Sequence, residues 1–247
     1  MKEKFERYID IAREYLLDKL GGNNTLIVLS VFTGIFGATA AIVIKNIIHF
    51  TISMLDRTCP GPMHKYIYLA FPLVGILLTI LFLRKVVKDK ISHGVSIAMK
   101  AIGKSKGKLR RHNIYSSIMA SSLTVGFGGS VGLEAPMVLT GSGIGSNLAQ
   151  LFKLNSKQTT LLLACGSTAT IAAVFKAPVA AIIFAIEVLM IDFTATAVVP
   201  LLISAGTGTI ARLRLLAPRL PPVTSNVVLS AEKPKYCNPA FLSASST

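Results

Sequence analysis

Apolar residues run along this chain in long uncharged blocks separated by short polar stretches, and that spacing sets the fold class. Residues 25–44, "TLIVLSVFTGIFGATAAIVI", carry no charge, and neither do residues 66–83, "YIYLAFPLVGILLTILFL". Further apolar stretches cover 114–125 with a glycine-rich run behind it, then 159–175, 177–191 and 193–210. Crossing the hydrocarbon of a bilayer takes about 20 residues of helix. The blocks therefore predict an all-α polytopic membrane protein with at least five embedded helices of uneven length. Breaks are expected at 92–96 and 128–136. A membrane β-barrel would instead alternate apolar and polar residues over about ten positions, and this chain shows no such alternation.

Ahead of the first block, residues 1–22 repeat Phe5, Ile9, Ala12, Leu16 and Leu20 at helical spacing among acids and bases. This pattern predicts an amphipathic helix, either lying at the membrane surface or capping the protein on its soluble side. The first apolar run starts only at Thr25, so no secretory signal peptide is expected.

Composition supports the membrane reading. Hydrophobic residues make up 52% of the 247, charged residues 15%, and mean hydropathy is +0.62, whereas an average globular domain is about 25% charged. The net charge of +15 raises the question of nucleic acid, and the position of the bases answers it. Ten of the 26 fall between Arg84 and Arg111, in one linker, while the 51–65 loop holds only Arg57 and Lys65. Positive residues concentrate on the cytoplasmic side. The linker and the N-terminus are thus expected inside, with 51–65 outside, in a multi-pass protein of the cell membrane. No nucleic-acid reader motif accompanies the bases. The three cysteines, Cys59, Cys165 and Cys237, give neither a disulfide framework nor metal spacing. The Gly-Lys-Ser at 103–105 has Ala98 where a phosphate loop needs its first glycine. No enzyme activity, metal or cofactor is expected.

One stretch carries chemistry. From Asn113 to Phe152 the chain runs 40 residues with a single charged side chain, Glu134, set in "GGSVGLEAP" at 128–136. Proline suits the first turn of a helix, where its missing N–H costs nothing. A helix starting near Pro136 and running through Phe152 would leave the N–H groups around Leu133, Glu134 and Ala135 facing open space, a ready anion site. The preceding glycines let the backbone turn. Irregular backbone at membrane depth is tolerated only where it is buried or lines a cavity, and broken helices facing an anion are a transporter device. A carboxylate there competes with a dissolved anion for the same donors and can act as a gate. The competing reading makes Gly141-x-x-x-Gly145 a packing motif and Glu134 a satisfied buried acid.

"GLEAP" (132–136) resembles the Gly-(Lys/Arg)-Glu-Gly-Pro motif of the CLC family of chloride channels and chloride/proton exchangers. "LLLACGSTATIAAVFKAPVAAIIFAIEVL" (161–189) is similar to that family's small-residue helix, Phe-x-Ala-Pro turn and Phe-Ala-Ile-Glu helix. "SHGVS" (92–96) sits where the family carries Gly-Ser-Gly-Ile-Pro or Gly-His-Gly-Val-Pro. The three agree in order and spacing over roughly residues 25–211.

The resemblance implies the first half of an inverted-repeat fold, with chloride or a similar anion as transported ligand and Glu134 as gate. The implied anion-binding positions are Gly132, Leu133, Glu134 and Ala135, together with His93, Gly94 and Val95. Departures are present. Leu133 replaces the family's basic residue and Ala135 a glycine, while Ser92, His93 and Ser96 stand for glycine, serine and proline. The exchangers' second acid is replaced by Val188, next to Glu187, so no proton relay is expected, as in many of the family's channels.

The expected organisation is a cytoplasmic amphipathic helix over 1–22, a CLC-like transmembrane half-domain over 23–211, and an atypical proline- and serine-rich tail over 212–247. The last 31 residues hold five of the eleven prolines. They read either as a native disordered tail or, as the preferred expectation, as sequence out of frame after about Arg212. The bilayer is the expected environment. A homodimer is implied for the full-length protein, through the surface of 177–191 and 193–210. Alternatives to a channel are an anion/proton exchanger and a non-conducting fragment that associates with partner subunits.

Overall fold

The structure is a computed structural model that describes residues 2–58, 64–87, 94–105, 107–109, 112–129, 131–190 and 194–216. Among these residues the regular structure is helical: α1 (Lys2–Thr58), α2 (His64–Phe82) with a π-helical end (Leu83–Val87), α3 (Gly94–Lys104), α4 (His112–Gly126), α5 (Glu134–Leu151), α6 (Ser156–Phe175), α7 (Pro178–Leu189) and α8 (Ala195–Leu216). The all-α class is as expected, and residues 1–212 form one compact unit.

The predicted blocks and the helices coincide closely after residue 64. The break expected at 128–136 lies at 127–133, between α4 and α5. α3 begins at Gly94, inside the other expected break; Ser92 and His93 lie outside the described residues. The N-terminal region differs. No helix end separates 1–22 from the first apolar block, because α1 runs unbroken for 57 residues, about 85 Å at 1.5 Å per residue. The apolar block is only its middle. The residues at the expected junction, "GGNNT" (21–25), contain glycines but no proline, and glycine lowers helix stability without breaking the hydrogen-bond ladder as proline does.

Within α1, Leu26, Leu29, Thr33, Gly37, Ile44 and Ile48 share a buried face at helical spacing, while Phe32, Ile35, Phe36, Val43 and Phe50 are exposed. An apolar exposed face is what a lipid-facing helix presents. Among the described residues, three helical segments are long and apolar enough to cross a membrane: 24–54, 156–175 and 196–215. Of these α6 is the most enclosed, 78% buried against 44% and 39%. Its neighbours reach it on every side, so it shows no polar stripe.

Small residues make that enclosure possible. Gly141 and Gly166 face each other so closely that a Cβ on either would collide with the other's carbonyl oxygen, and a Cβ on Gly145 would collide with Leu162 O. Gly208 of α8 approaches Ala169 of α6, where a Cβ would stand 2.8 Å from its carbonyl oxygen. Ser204 donates to Cys165 O at 2.7 Å. In lipid no hydrophobic force draws helices together, so close backbone approach and interhelical hydrogen bonds carry the association.

Gly145→Leu should therefore destabilise the bundle more than ordinary overpacking, roughly 3 kcal/mol or more, which lowers the melting midpoint by about 6–12 °C. Gly103→Ala, where a Cβ meets nothing within 4 Å, serves as the tolerated control. Thermal scans of the detergent-solubilised chain by size-exclusion chromatography check both.

Candidate anion site at the start of α5

The break before α5 is built by two glycines, each for its own reason. Gly128 takes φ +84, a left-handed conformation that side chains disfavour. Gly129 closes on α4, where a Cβ would stand 2.7 Å from Thr124 O, while its own N–H donates to that oxygen at 2.9 Å. Gly132 is different: a Cβ there meets nothing within 4 Å, and the position is exposed. Neither backbone angle nor neighbours require glycine at 132, so the expected turning role belongs to Gly128 and Gly129.

Leu133 is the N-cap of α5 and makes no side-chain cap bond; Glu134, Ala135 and Pro136 are its first three residues. Met137 N–H donates to Leu133 O at 3.1 Å, closing the first turn. Pro136 has no N–H, which leaves Glu134 and Ala135 as the donors of that turn without an intrahelical acceptor. Proline thus sits third in the helix rather than first, and it removes a donor that would otherwise need a partner. The Pro136 carbonyl accepts from Ser117 Oγ of α4 at 3.3 Å.

α3 begins against this helix start. A Cβ at Gly94 would stand 2.6 Å from Ala135 O and 3.2 Å from Leu139 Cβ, so only glycine fits there. Val95 and Leu133 are both half-buried against the same core. Residues 40 positions apart in the sequence are thereby brought together: Gly94 and Val95 with Leu133, Glu134 and Ala135. His93 lies outside the described residues.

Glu134 is exposed on the compact unit rather than buried, so the reading of a satisfied buried acid is not what the structure shows. It lines a cleft of about 190 Å³ with Ile171 and Phe175 of α6, Ala177, and Ala180, Ala181 and Phe184 of α7. The cleft joins the Gly-x-Glu-x-Pro stretch to the Phe-x-Ala-Pro turn. Lys176 ends α6 in the left-handed region at φ 57, and Ala177 is extended before Pro178, the first residue of α7. Ala181 N–H closes the first turn of α7 on Ala177 O at 3.1 Å. Two helix starts, those of α5 and α7, therefore border one cleft. Val188 is four residues beyond Phe184 and shares its side of α7.

The sequence reading missed Arg212. Arg212 is buried, with a relative exposure of 6%, and its guanidinium donates to Ala173 O and, at 2.7 Å, to Val174 O. Those are last-turn carbonyls of α6. Val174 O would bond the N–H of residue 178 in a continuing helix, but Pro178 has none, so Arg212 supplies the missing donor. The domain boundary expected at 211/212 lies one residue from the end of the compact unit, which closes with Arg212. The available signal was an arginine ending an apolar helical run at 196–212, since intramembrane cations are costly and need partners.

Comparison with known proteins settles the family. A family model described as "Voltage gated chloride channel" matches residues 75–231, which covers α3 to α8, including both sides of the cleft, and reaches into the proline-rich segment. The chain belongs to the voltage-gated chloride channel family. Its sequence is 32% identical over 146 residues to a putative chloride channel protein ClcB-like of Ralstonia nicotianae (strain ATCC BAA-1114 / GMI1000), which is 58% of this chain and 34% of that protein. The fold is similar to the crystal structure of a CLC-type fluoride/proton antiporter, with a TM-score of 0.64 and 23% identity over 83% of this chain and 52% of that one. It also resembles a slow cyanobacterial Cl−/H+ antiporter, with a TM-score of 0.59 and 23% identity over 77% of this chain and 45% of that one. This member of the voltage-gated chloride channel family thus spans about half the length of these solved structures and a third of the curated relative.

Substitutions at three positions test the geometry around this family member's cleft. Arg212→Met should leave Val174 O without its donor and cost roughly 1–3 kcal/mol, with Arg212→Lys recovering part of the loss; thermal midpoints in detergent check this. Gly132→Ala should leave the midpoint unchanged while Gly129→Ala lowers it, since only the second adds a Cβ against backbone.

Proposed function

We propose that this chain forms part of a pathway for chloride or a similar anion across the cell membrane, with its N-terminus cytoplasmic, and that Glu134 gates it. The observation that supports this reading best is the start of α5. An exposed carboxylate sits on the first helical residue, beside two N–H groups without intrahelical acceptors, at the mouth of a cleft. Backbone donors and the positive helix end attract an anion, and they attract the ionised carboxylate equally. Neutralising the side chain at 134 removes the competitor, so flux should rise when the carboxylate is replaced by an uncharged group.

The anion would meet the backbone around Gly132, Leu133, Glu134 and Ala135 and, across from them, His93, Gly94 and Val95. Leu133 and Ala135 in place of the family's basic residue and glycine leave those backbone donors in place. Val188 offers no proton site, which favours a channel over an exchanger. Because the chain spans about half of its structural relatives, the rest of the path belongs to a second half, and the working unit is a homodimer of full-length chains. The apolar residues Val179, Ile183, Val199 and Leu202, exposed on α7 and α8, suit that contact.

Anion efflux from liposomes tests this. In a chain carrying both halves, Glu134→Gln and Glu134→Ala should raise flux or abolish its pH dependence while the fold survives, since the donors are backbone groups. Unchanged flux with unchanged pH dependence rules out the gate. Reversal potentials under a pH gradient separate channel from exchanger. The 247-residue chain alone should show little efflux with either residue at 134, and robust efflux through it would overturn the half-pathway reading.

A further inference from the structure

At the other end of α5 from Glu134, the loop after α3 packs against the start of α6, and both segments carry lysines. The loop after α3 is fastened there by α5 side chains. Ser146 Oγ accepts from Leu109 N–H at 2.8 Å and donates to Gly107 O at 2.5 Å, while Gln150 Nε2 donates to Leu109 O at 3.1 Å. Gly107, at φ +78, lies against α6, where a Cβ would stand 3.0 Å from Thr159 Cγ2 and 3.1 Å from Thr160 N. The loop is therefore clamped over the α5–α6 turn, which holds its own shape through Leu154 N–H on Ala149 O at 3.0 Å and the capping box of Asn155 and Gln158.

Four lysines border this platform: Lys104 and Lys108 from α3 and the loop, Lys153 from the turn, and Lys157 from the first turn of α6. All four are exposed. Between residues 94 and 160 the acid in the sequence is Glu134 alone. It lies 17 residues before α5 ends at Leu151, about 25 Å away along the helix. α6 has 20 residues and is apolar enough to span; at 1.5 Å each it matches the roughly 30 Å of hydrocarbon. Its first turn, and the platform with it, therefore stands at the depth of lipid headgroups.

We propose that this platform is a docking site for anionic phospholipid headgroups. Ammonium groups at headgroup depth meet lipid phosphates, and the clamp by Ser146 and Gln150 fixes the backbone of Gly107 and Leu109, which places Lys108, with Lys104 at the end of α3, next to the turn and helix start that carry Lys153 and Lys157. Flexible surface lysines would give a diffuse attraction; this arrangement gives a local site. Anionic lipid is the ligand whose charge and depth both fit, and the basic cytoplasmic linker places it in the inner leaflet. The inference rests on the membrane placement of α5 and α6 and not on conduction or gating.

Lipid retention by the full purified chain tests it. The chain is equilibrated in neutral detergent with phosphatidylglycerol or phosphatidylcholine, exchanged into lipid-free detergent, and its bound lipid measured by mass spectrometry. The wild type should retain phosphatidylglycerol over phosphatidylcholine. Substitution of Lys104, Lys108, Lys153 and Lys157 by Gln should reduce that retention, by about fivefold for each lysine at the surface. Arg84→Gln with Lys85→Gln, exposed bases at the end of α2, should leave it unchanged. Circular dichroism confirms the fold, and the singles Lys108→Gln and Lys157→Gln take the place of the quadruple variant if it misfolds. Equal retention of the two lipids, equal retention by variant and wild type, or an equal loss in the Arg84/Lys85 control overturns the proposal. So does full displacement of the lipid by inorganic phosphate, which would mark a site for the free ion instead.

Discussion

The reciprocal contact of Gly141 and Gly166 is the constraint on which the rest of the bundle depends. Each glycine occupies space that a Cβ on the other would need, so α5 and α6 touch backbone to backbone. That contact fixes both ends of the pair. At one end it places the start of α5 beside Phe175 and the turn into α7, which defines the cleft. At the other it aligns Ser146 and Gln150 with the loop that they hold. The fold and the candidate site are thus one piece of geometry, set by the absence of two side chains.

Much of this was legible in the sequence because the membrane imposes a simple code. Apolar runs reach the hydrocarbon thickness or they do not, and breaks within them need glycine or proline to form. The helices after residue 64 and the break before α5 follow from that code. The pairing of Gly94 with Ala135 was implied by family resemblance, since nothing in local spacing brings 94 to 135. The continuity of α1 was not legible: a change from amphipathic to apolar pattern marks a change of environment, and the helical hydrogen bonds continue through it.

Individual roles were less legible than elements. Gly128, Gly129 and Gly132 look alike in sequence, yet one supplies a positive φ, one a close approach, and the third neither. Arg212 stood at the expected edge of a domain because the proline-rich tail follows it. The apolar run that it ends signals that it needs a partner, but which carbonyls lie across the bundle is a tertiary fact. The same holds for Ser146, whose hydroxyl reaches a loop 37 residues earlier in the chain.

The two proline breaks bordering the cleft obey one rule with opposite results. Each proline deletes a donor. At Pro136 the deleted donor belongs to a helix start, where donors are in excess, so the turn keeps the N–H groups of Glu134 and Ala135 and loses one competitor for space. At Pro178 the deleted donor would have served Val174 O at the end of α6, where acceptors are in excess, and Arg212 fills the gap together with its bond to Ala173 O. The first turn of α5 keeps donors without an intrahelical acceptor, while two carbonyls at the end of α6 are taken by a buried cation. Lys176 adds a further exposed positive charge at the α6 terminus, the position where a helix dipole favours it. The two breaks thus differ in which backbone groups they leave over: donors at the start of α5, and at the end of α6 acceptors that a side chain has to fill.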